Sequence, residues 1–138
     1  MKFTMTDNPK EQDIQEILNH LREYNLSRLE CKFVKPIAIF VTDENGSKIG
    51  GITGETHGNW LEIDYLWVDE KARGARVGSK LVRDVETEAQ KRGCTYVFLN
   101  TFSFQAKDFY IKLGYDEVFT LEKYPITGKR HYFVKQLA

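Results

Sequence analysis

The sequence predicts an α/β fold: a single domain over residues 1–138, built on a central mixed β-sheet with helices packed against it. Three observations carry this prediction. The apolar run Leu66-Trp67-Val68 stops at Asp69-Glu70-Lys71, passes the glycines Gly74 and Gly78, and enters an amphipathic helical pattern at Val77 and Leu81, which reads as strand, loop, helix. After that helix Tyr96-Val97-Phe98-Leu99 is a second short apolar strand, and strand, helix, strand of this length implies a right-handed parallel crossover. Alternating runs separated by turn residues stand before and after this unit, so antiparallel pairs join the parallel one.

Composition sets the limits. A chain of 138 residues with 41% hydrophobic content suffices for one core and leaves no room for a second domain. Twenty basic residues balance twenty acidic ones, so no bulk field attracts nucleic acid or an anionic membrane, and a basic site must be local. Cys31 and Cys94 lie in unrelated contexts, and MKFTMTDNPKEQ at the N-terminus has no apolar export core. No apolar run approaches the roughly 20 residues of a membrane span. The expectation is a cytoplasmic protein with reduced thiols and with neither nucleic acid nor membrane as partner.

Taken in order, Lys2 to Thr6 alternates weakly and is expected as an edge strand. Ile14, Ile17, Leu18 and Leu21 follow helical spacing within Lys10 to Leu29, with Asp7 or Asn8 as N-cap and Pro9 in the first turn. Ile37 to Val41 and Lys48 to Thr56, joined at Asp43-Glu44-Asn45-Gly46, read as a hairpin, and Gly50, Gly51 and Gly54 in its second arm point to a bulge or to close packing. Trp60 to Val68 alternates at first, with Glu62 and Asp64 on one face and Leu61, Ile63 and Tyr65 on the other, then turns apolar on both faces. Leu81, Val82, Val85 and Ala89 form a helix face that ends at Arg92-Gly93. Ser103 and Gln105 begin a third helix, with Ala106, Phe109, Tyr110 and Leu113 on one side and Gly114 as its stop. Tyr115 to Leu121 and Arg130 to Leu137 form a last antiparallel pair.

The junction at Leu66–Leu81 is the main candidate for chemistry. First-turn amides of a helix lack intrahelical partners and carry the positive end of the macrodipole, glycines admit a ligand close to the backbone, and Arg73, Arg76 and Lys80 stand nearby. These features suit a phosphate or diphosphate. His20, His57 and His131 are scattered without metal-ligand spacing, so no metal site is expected. Gly78-Ser79-Lys80 is not a nucleotide-hydrolysing P-loop.

RGARVGSKL at Arg73 to Leu81, followed after a helix and a strand by FSFQAKDFYIKLGY at Phe102 to Tyr115, resembles the GCN5-related N-acetyltransferase (GNAT) family over roughly Ile37 to Leu137. The resemblance implies a mixed sheet splayed between its fourth and fifth strands, with acetyl coenzyme A in the split. It places the pyrophosphate on the backbone from Arg73 through Gly74, Ala75, Arg76, Val77 and Gly78 to Ser79. It also implies an unpaired amide near a strand bulge at Leu66, Trp67 and Val68 that polarises the thioester oxygen. The family pattern has glycine where this chain has Arg76, and a right-handed helical φ is expected there. Its second pattern falls on Ser103, Ala106 and Tyr110; Ser103 replaces an asparagine, caps the helix and donates to the coenzyme, and Asn100 partly substitutes for the missing amide.

The resemblance and the residues together suggest direct acetyl transfer to a primary amine of a small cationic acceptor. Tyr110 is the expected general acid toward the leaving thiolate. Glu62, or else Asp64, is the expected water-mediated base, with the alternative that both only attract the cation. Trp60, Trp67, Phe102 and Phe104 are candidates for the acceptor pocket, which Tyr124 to His131 would edge. A catalytically silent acyl coenzyme A binding or sensing domain is the competing function, favoured by Arg76 and Ser103 and opposed by Tyr110. The open edge of the last strands admits a homodimer.

Overall fold

The computed structural model describes residues 1–104 and 106–138. Met1–Lys32 and Phe33–Ala138 are its two compact units. The first carries one helix, α1 (Glu11–Leu26), entered through Lys10, whose backbone is extended and whose side chain makes no capping bond. The helix therefore starts later than the Asp7 or Asn8 cap the sequence suggests, and Pro9 precedes it. Proline disfavours a helical conformation at the residue before it, and the Asn8 amide is taken by the Thr6 hydroxyl at 3.0 Å. Lys2–Thr6 forms no strand. It offers two apolar positions, and a strand exists only through a partner ladder.

The second unit is a six-stranded mixed sheet with two helices: β1 (Val34–Thr42), β2 (Lys48–His57), β3 (Trp60–Val68), α2 (Val77–Lys91), β4 (Tyr96–Phe102), α3 (Lys107–Lys112), β5 (Asp116–Glu122) and β6 (Lys129–Gln136). The order across the sheet is β1-β2-β3-β4-β6-β5. Pro36 is tolerated in β1 because that strand lies at an edge. The β1–β2 turn is held by the Asp43 carboxylate, which accepts from the Asn45 and Ser47 amides at 2.8 and 3.0 Å. Leu81, Val82, Val85 and Ala89 of α2 and Tyr110 of α3 share one core with Ile52, Leu61, Val97 and Phe133 of the sheet. At its edge the Tyr115 hydroxyl and the Lys135 ammonium both bond the buried Glu86 carboxylate, at 2.7 and 3.0 Å, which ties α2 to β6.

Two features of the sheet position the site. β3 and β4 are parallel neighbours only at Trp60–Glu62 against Tyr96–Phe98, and beyond Glu62 no pairing joins them. The expected split is present, and since Lys2–Thr6 is not a strand it separates the third and fourth strands rather than the fourth and fifth. The second feature is a bulge. Thr53 faces Tyr65 but Gly54 faces Ile63, so Asp64 is the extra residue on β3. One inserted residue reverses the alternation: Leu61 and Ile63 are buried, Leu66 and Val68 pack against the core, and Tyr65 is exposed. The sequence expectation that Tyr65 continues the inner face fails for this reason. Gly54 permits the bulge, because a Cβ there would lie 2.2 Å from the Glu62 carbonyl oxygen.

Candidate active site

The end of β3, the turn after it and the start of α2 enclose a cavity of about 700 Å³ beyond the point where β3 and β4 part. Leu66, Trp67 and Val68 form one wall. The turn contributes Arg73, Gly74 and Arg76, and Arg73 is pinned there by its Nε donating to the Val68 carbonyl at 3.2 Å. Gly74 has φ +90°, which glycine accepts without cost. Arg76 has φ +58° and ψ +27°, the left-handed region, and this corrects the right-handed φ expected for it. The conformation costs a non-glycine residue about 1 kcal/mol, and the tight entry into α2 imposes it.

Val77, Gly78 and Ser79 of the first turn of α2 also line the cavity, and the Arg76 side chain makes no bond to their amides. Unpartnered first-turn donors, the positive end of the helix and two arginines thus converge on one space. A Cβ at Gly78 would meet the Phe109 ring at 3.4 Å and Val68 at 3.8 Å, ordinary packing distances, so this turn already lies close against both walls. Lys80 does not line the cavity, since its ammonium pairs with Asp84 at 2.7 Å. Ala75 is exposed on the turn, outside the lining.

The opposite wall is Phe104, Ala106 and Phe109. The expected start of the third helix at Ser103 is corrected: α3 begins at Lys107, Ala106 is its N-cap position, and Gln105 lies outside the described residues. Ser103 consequently caps nothing. Its Oγ lies 2.9 Å from Nε2 of His131 and 3.4 Å from the Lys129 carbonyl. Asn100 is turned to β6, where its Oδ1 accepts from Nε of Arg130 at 2.7 Å. The Arg130 guanidinium lies over the rings of Phe102, Tyr124 and Tyr132.

Tyr110 sits one residue beyond the wall, buried, with its ring against Phe109, Tyr115 and Phe133. It is not part of the cavity lining. Burial pushes its phenol up to about 12, so it holds its proton at any working pH.

Glu62 and Asp64 stand where β3 leaves β4, Asp64 being the bulged residue. Burial, then Asp64 and Glu55, raise the Glu62 carboxyl above its ordinary value; burial and then Glu55 raise Asp64. Glu55 faces Glu62 across the β2–β3 ladder and was not singled out from the sequence, because the pairing brings it there. In the same region the buried Thr53 hydroxyl has no partner among the described residues. Trp60 lines a second, apolar cavity of about 340 Å³ with Phe98, Val118 and Tyr132, so it belongs to a different space from Trp67 and Phe104.

Comparison with known proteins decides which class this cavity belongs to. The profile of the Acetyltransferase (GNAT) family matches residues 6–115. The chain belongs to the GNAT acetyltransferases. It is 36% identical over 110 residues to Blasticidin-S acetyltransferase of Streptomyces morookaense, covering 79% of this chain and 81% of that one. The crystal structure of an acetyltransferase from Bacillus cereus superposes with TM-score 0.82 at 35% identity, over 97% of this chain and 98% of that one. A crystallised Agrobacterium tumefaciens chain gives TM-score 0.93 at 27% identity, over 99% and 100%.

As a GNAT protein the chain is an acetyl-transferring enzyme, and its mixed sheet parted between β3 and β4 is that family's architecture. Of the residues expected to hold coenzyme, the cavity brings together Leu66, Trp67, Val68, Arg73, Gly74 and Arg76, then Val77, Gly78, Ser79 and Ala106. Ala75, Asn100 and Ser103 fall outside its lining. Phe109 is the wall residue missed as such, since helical spacing marked it only as apolar. The expected bulge at Leu66–Val68 lies instead at Asp64. No helix is long and apolar enough to cross a membrane, and the described residues contain no group of three metal-ligating side chains.

Proposed function

We propose that the enzyme transfers the acetyl group of acetyl coenzyme A directly to a primary amine of a small cationic acceptor. The observation that carries this reading is the cavity between the parted strands, closed at one end by the uncapped first turn of α2 with Arg73 and Arg76 beside it. In this reading the pyrophosphate lies on the Val77–Ser79 amides, where fixed donors and the helix dipole meet its charge. The pantetheine then runs along Phe104, Ala106 and Phe109.

Amine attack needs a base, and the ammonium must lose its proton before its lone pair can reach the thioester carbon. Glu62 serves through water, with Asp64 beside it. Both carboxyls are raised toward the range in which a base works, and with Glu55 they form an acidic face that draws a cation to the split. The collapsing intermediate expels a thiolate, and in this reading its proton comes from Tyr110, which lies behind the Phe109 wall rather than in the lining, so the sulfur must reach past Phe109 to meet the phenol. A phenol that stays protonated is the form a leaving-group acid requires. The acceptor named for the Streptomyces relative is Blasticidin-S, which fits a small-molecule acceptor here.

The test is calorimetric titration with acetyl coenzyme A, followed on the same preparation by thiol release against a panel of amines. Saturable binding with release for some amines is the expected result. Absence of binding would end the coenzyme reading, and binding without release for any amine would favour a sensing role.

A further inference from the structure

The second cavity, of about 340 Å³, plays no part in the coenzyme reading, and it adjoins the closed end of the split. Glu62 and Phe98 are the last paired residues of β3 and β4 before the strands part, and Phe98 lines this cavity. Trp60, which also lines it, pairs with Tyr96 one step earlier in the same ladder. Paired residues point to one side of a sheet and alternate residues repeat that side, so Glu62, Trp60 and Phe98 share a face. Leu61 and Val97 between them turn the other way, into the core with α2. The carboxylate at the apex of the split and the aromatic cavity are therefore immediate neighbours.

Its rings are held in place by one another. The Trp60 indole stacks on Tyr96 at 4.9 Å and meets Phe98 edge to face at 5.6 Å, and Tyr132 leans on Phe119 at 5.8 Å. Val118, the extra residue of the β5 bulge, is 60% exposed and stands at the rim. The lining side chains carry no charge, and their polar atoms are the Trp60 N–H and the Tyr132 hydroxyl. Charge gathers at the apex instead: Glu55, Glu62 and Asp64 enter none of the ion pairs among the described residues. A cation is drawn to that end, whereas a second ammonium inside the cavity would lose its water and find no carboxylate in the lining. A volume of this size is at the small end of ligand pockets, which begin at roughly 300 Å³. It suits one ring rather than a long chain. Neighbouring strands lie about 4.8 Å apart, so a chain of about two carbons joins a ring against Phe98 to a nitrogen at Glu62.

We propose that this cavity is the subsite for the body of the acceptor, and that the acceptor is an arylalkylamine: a single amine, placed at Glu62, on a short chain from a flat apolar ring lodged against Trp60, Phe98 and Tyr132. This rests on the transfer reading for the amine's role as acceptor. The ring is recognised by apolar burial and by edge and face contacts with the aromatic walls, and the ammonium by the carboxylates at the apex. Polyamines are disfavoured by the same lining, which discriminates through what it fails to solvate.

The test compares phenethylamine, n-butylamine and putrescine by thiol release and by binding. The wild type should favour phenethylamine over putrescine at least about tenfold in kcat/KM, with n-butylamine between them. Val118→Asp changes an exposed residue and puts a carboxylate at the rim, so the ratio of phenethylamine to putrescine should fall at least about tenfold. A purely structural effect would slow both amines alike and leave that ratio where it was. Binding is followed without chemistry, in the presence and absence of coenzyme A, through the indole N–H signals of Trp60 and Trp67, which are assigned with Trp60→Phe. Phenethylamine should move the Trp60 signal and leave Trp67 in place. An unmoved Trp60 signal, a wild-type preference for putrescine, or a ratio unchanged in Val118→Asp would overturn the subsite. A Trp60 response with no thiol release from any amine would overturn the transfer reading and leave the binding site standing.

Discussion

Gly54→Ala tests the feature on which the geometry of the split depends. A Cβ at this position lies 2.2 Å from the Glu62 carbonyl oxygen and 3.2 Å from the Glu62 carbonyl carbon and the Ile63 Cα, all of them backbone atoms that no rotamer change can move. A carbon and a carbonyl oxygen need about 3.3 Å, so β2 and β3 must part by about 1 Å beside the bulge. Overpacking of this kind costs about 3 kcal/mol when the obstacle is main chain. The control is Gly46→Ala in the β1–β2 turn, where φ is +81° and nothing lies within 4 Å of the added carbon. That substitution carries only the left-handed penalty of about 1 kcal/mol. With a urea slope of about 2 kcal/mol/M for a chain of this size, the midpoint falls by about 1.5 M for Gly54→Ala and about 0.5 M for Gly46→Ala. Turnover falls with the first and not with the second, because Glu62 and Asp64 move with the strand. If Gly54→Ala cost no more stability than Gly46→Ala, the account of the bulge would be wrong.

Four further predictions concern single side chains. Glu62→Gln lowers turnover about a hundredfold and removes the acid limb of the kcat/KM profile, since the base works ionised and is lost as pH falls through its raised value. The same shift makes ionisation of Glu62 cost stability as pH rises, so a denaturation curve should find the variant no less stable at neutral pH. Tyr110→Phe leaves coenzyme affinity nearly intact while lowering turnover at least about tenfold, and unchanged turnover on a verified amine would remove Tyr110 from the chemistry. Arg73→Glu weakens acetyl coenzyme A binding at least about tenfold by calorimetry; an unaltered dissociation constant would count against phosphate at the α2 turn. Glu117 is depressed from 4.5 to about 2, so its contribution is complete above pH about 4.5 and disappears as pH falls through about 2. Urea midpoints across that window should fall for the wild type and vary less for Glu117→Gln.

Local pattern was enough for most of the architecture. Alternation and helical spacing placed α2 and all six strands within a few residues, and all of them but β5, which has no buried residue, bury side chains whose period is written in consecutive residues. The motif Arg73–Leu81 announced the α2 turn because a tight turn of this kind leaves its mark in glycines and neighbouring charge. The same local reading failed at Lys2–Thr6 and at the α1 cap. There the deciding quantities were a strand partner and the conformation imposed ahead of Pro9, and neither is visible in a run of residue types.

What the chain determined by itself was the order of elements, the family, and the place where an anion would meet a helix. Tertiary structure decided the rest through pairing and close approach. Asp64 became the bulge because Gly54 lets Glu62 come near, and one extra residue in a ladder of period two then reversed which side chains face the core. Glu55 joined the carboxylates through its register partner, and Arg76 took a positive φ because the turn into α2 required it. Ser103, His131 and Glu117 stand far apart in sequence and meet only because β6 is inserted between β4 and β5. Contacts between distant strands depend on register, and register is a property of the assembled sheet rather than of any segment within it.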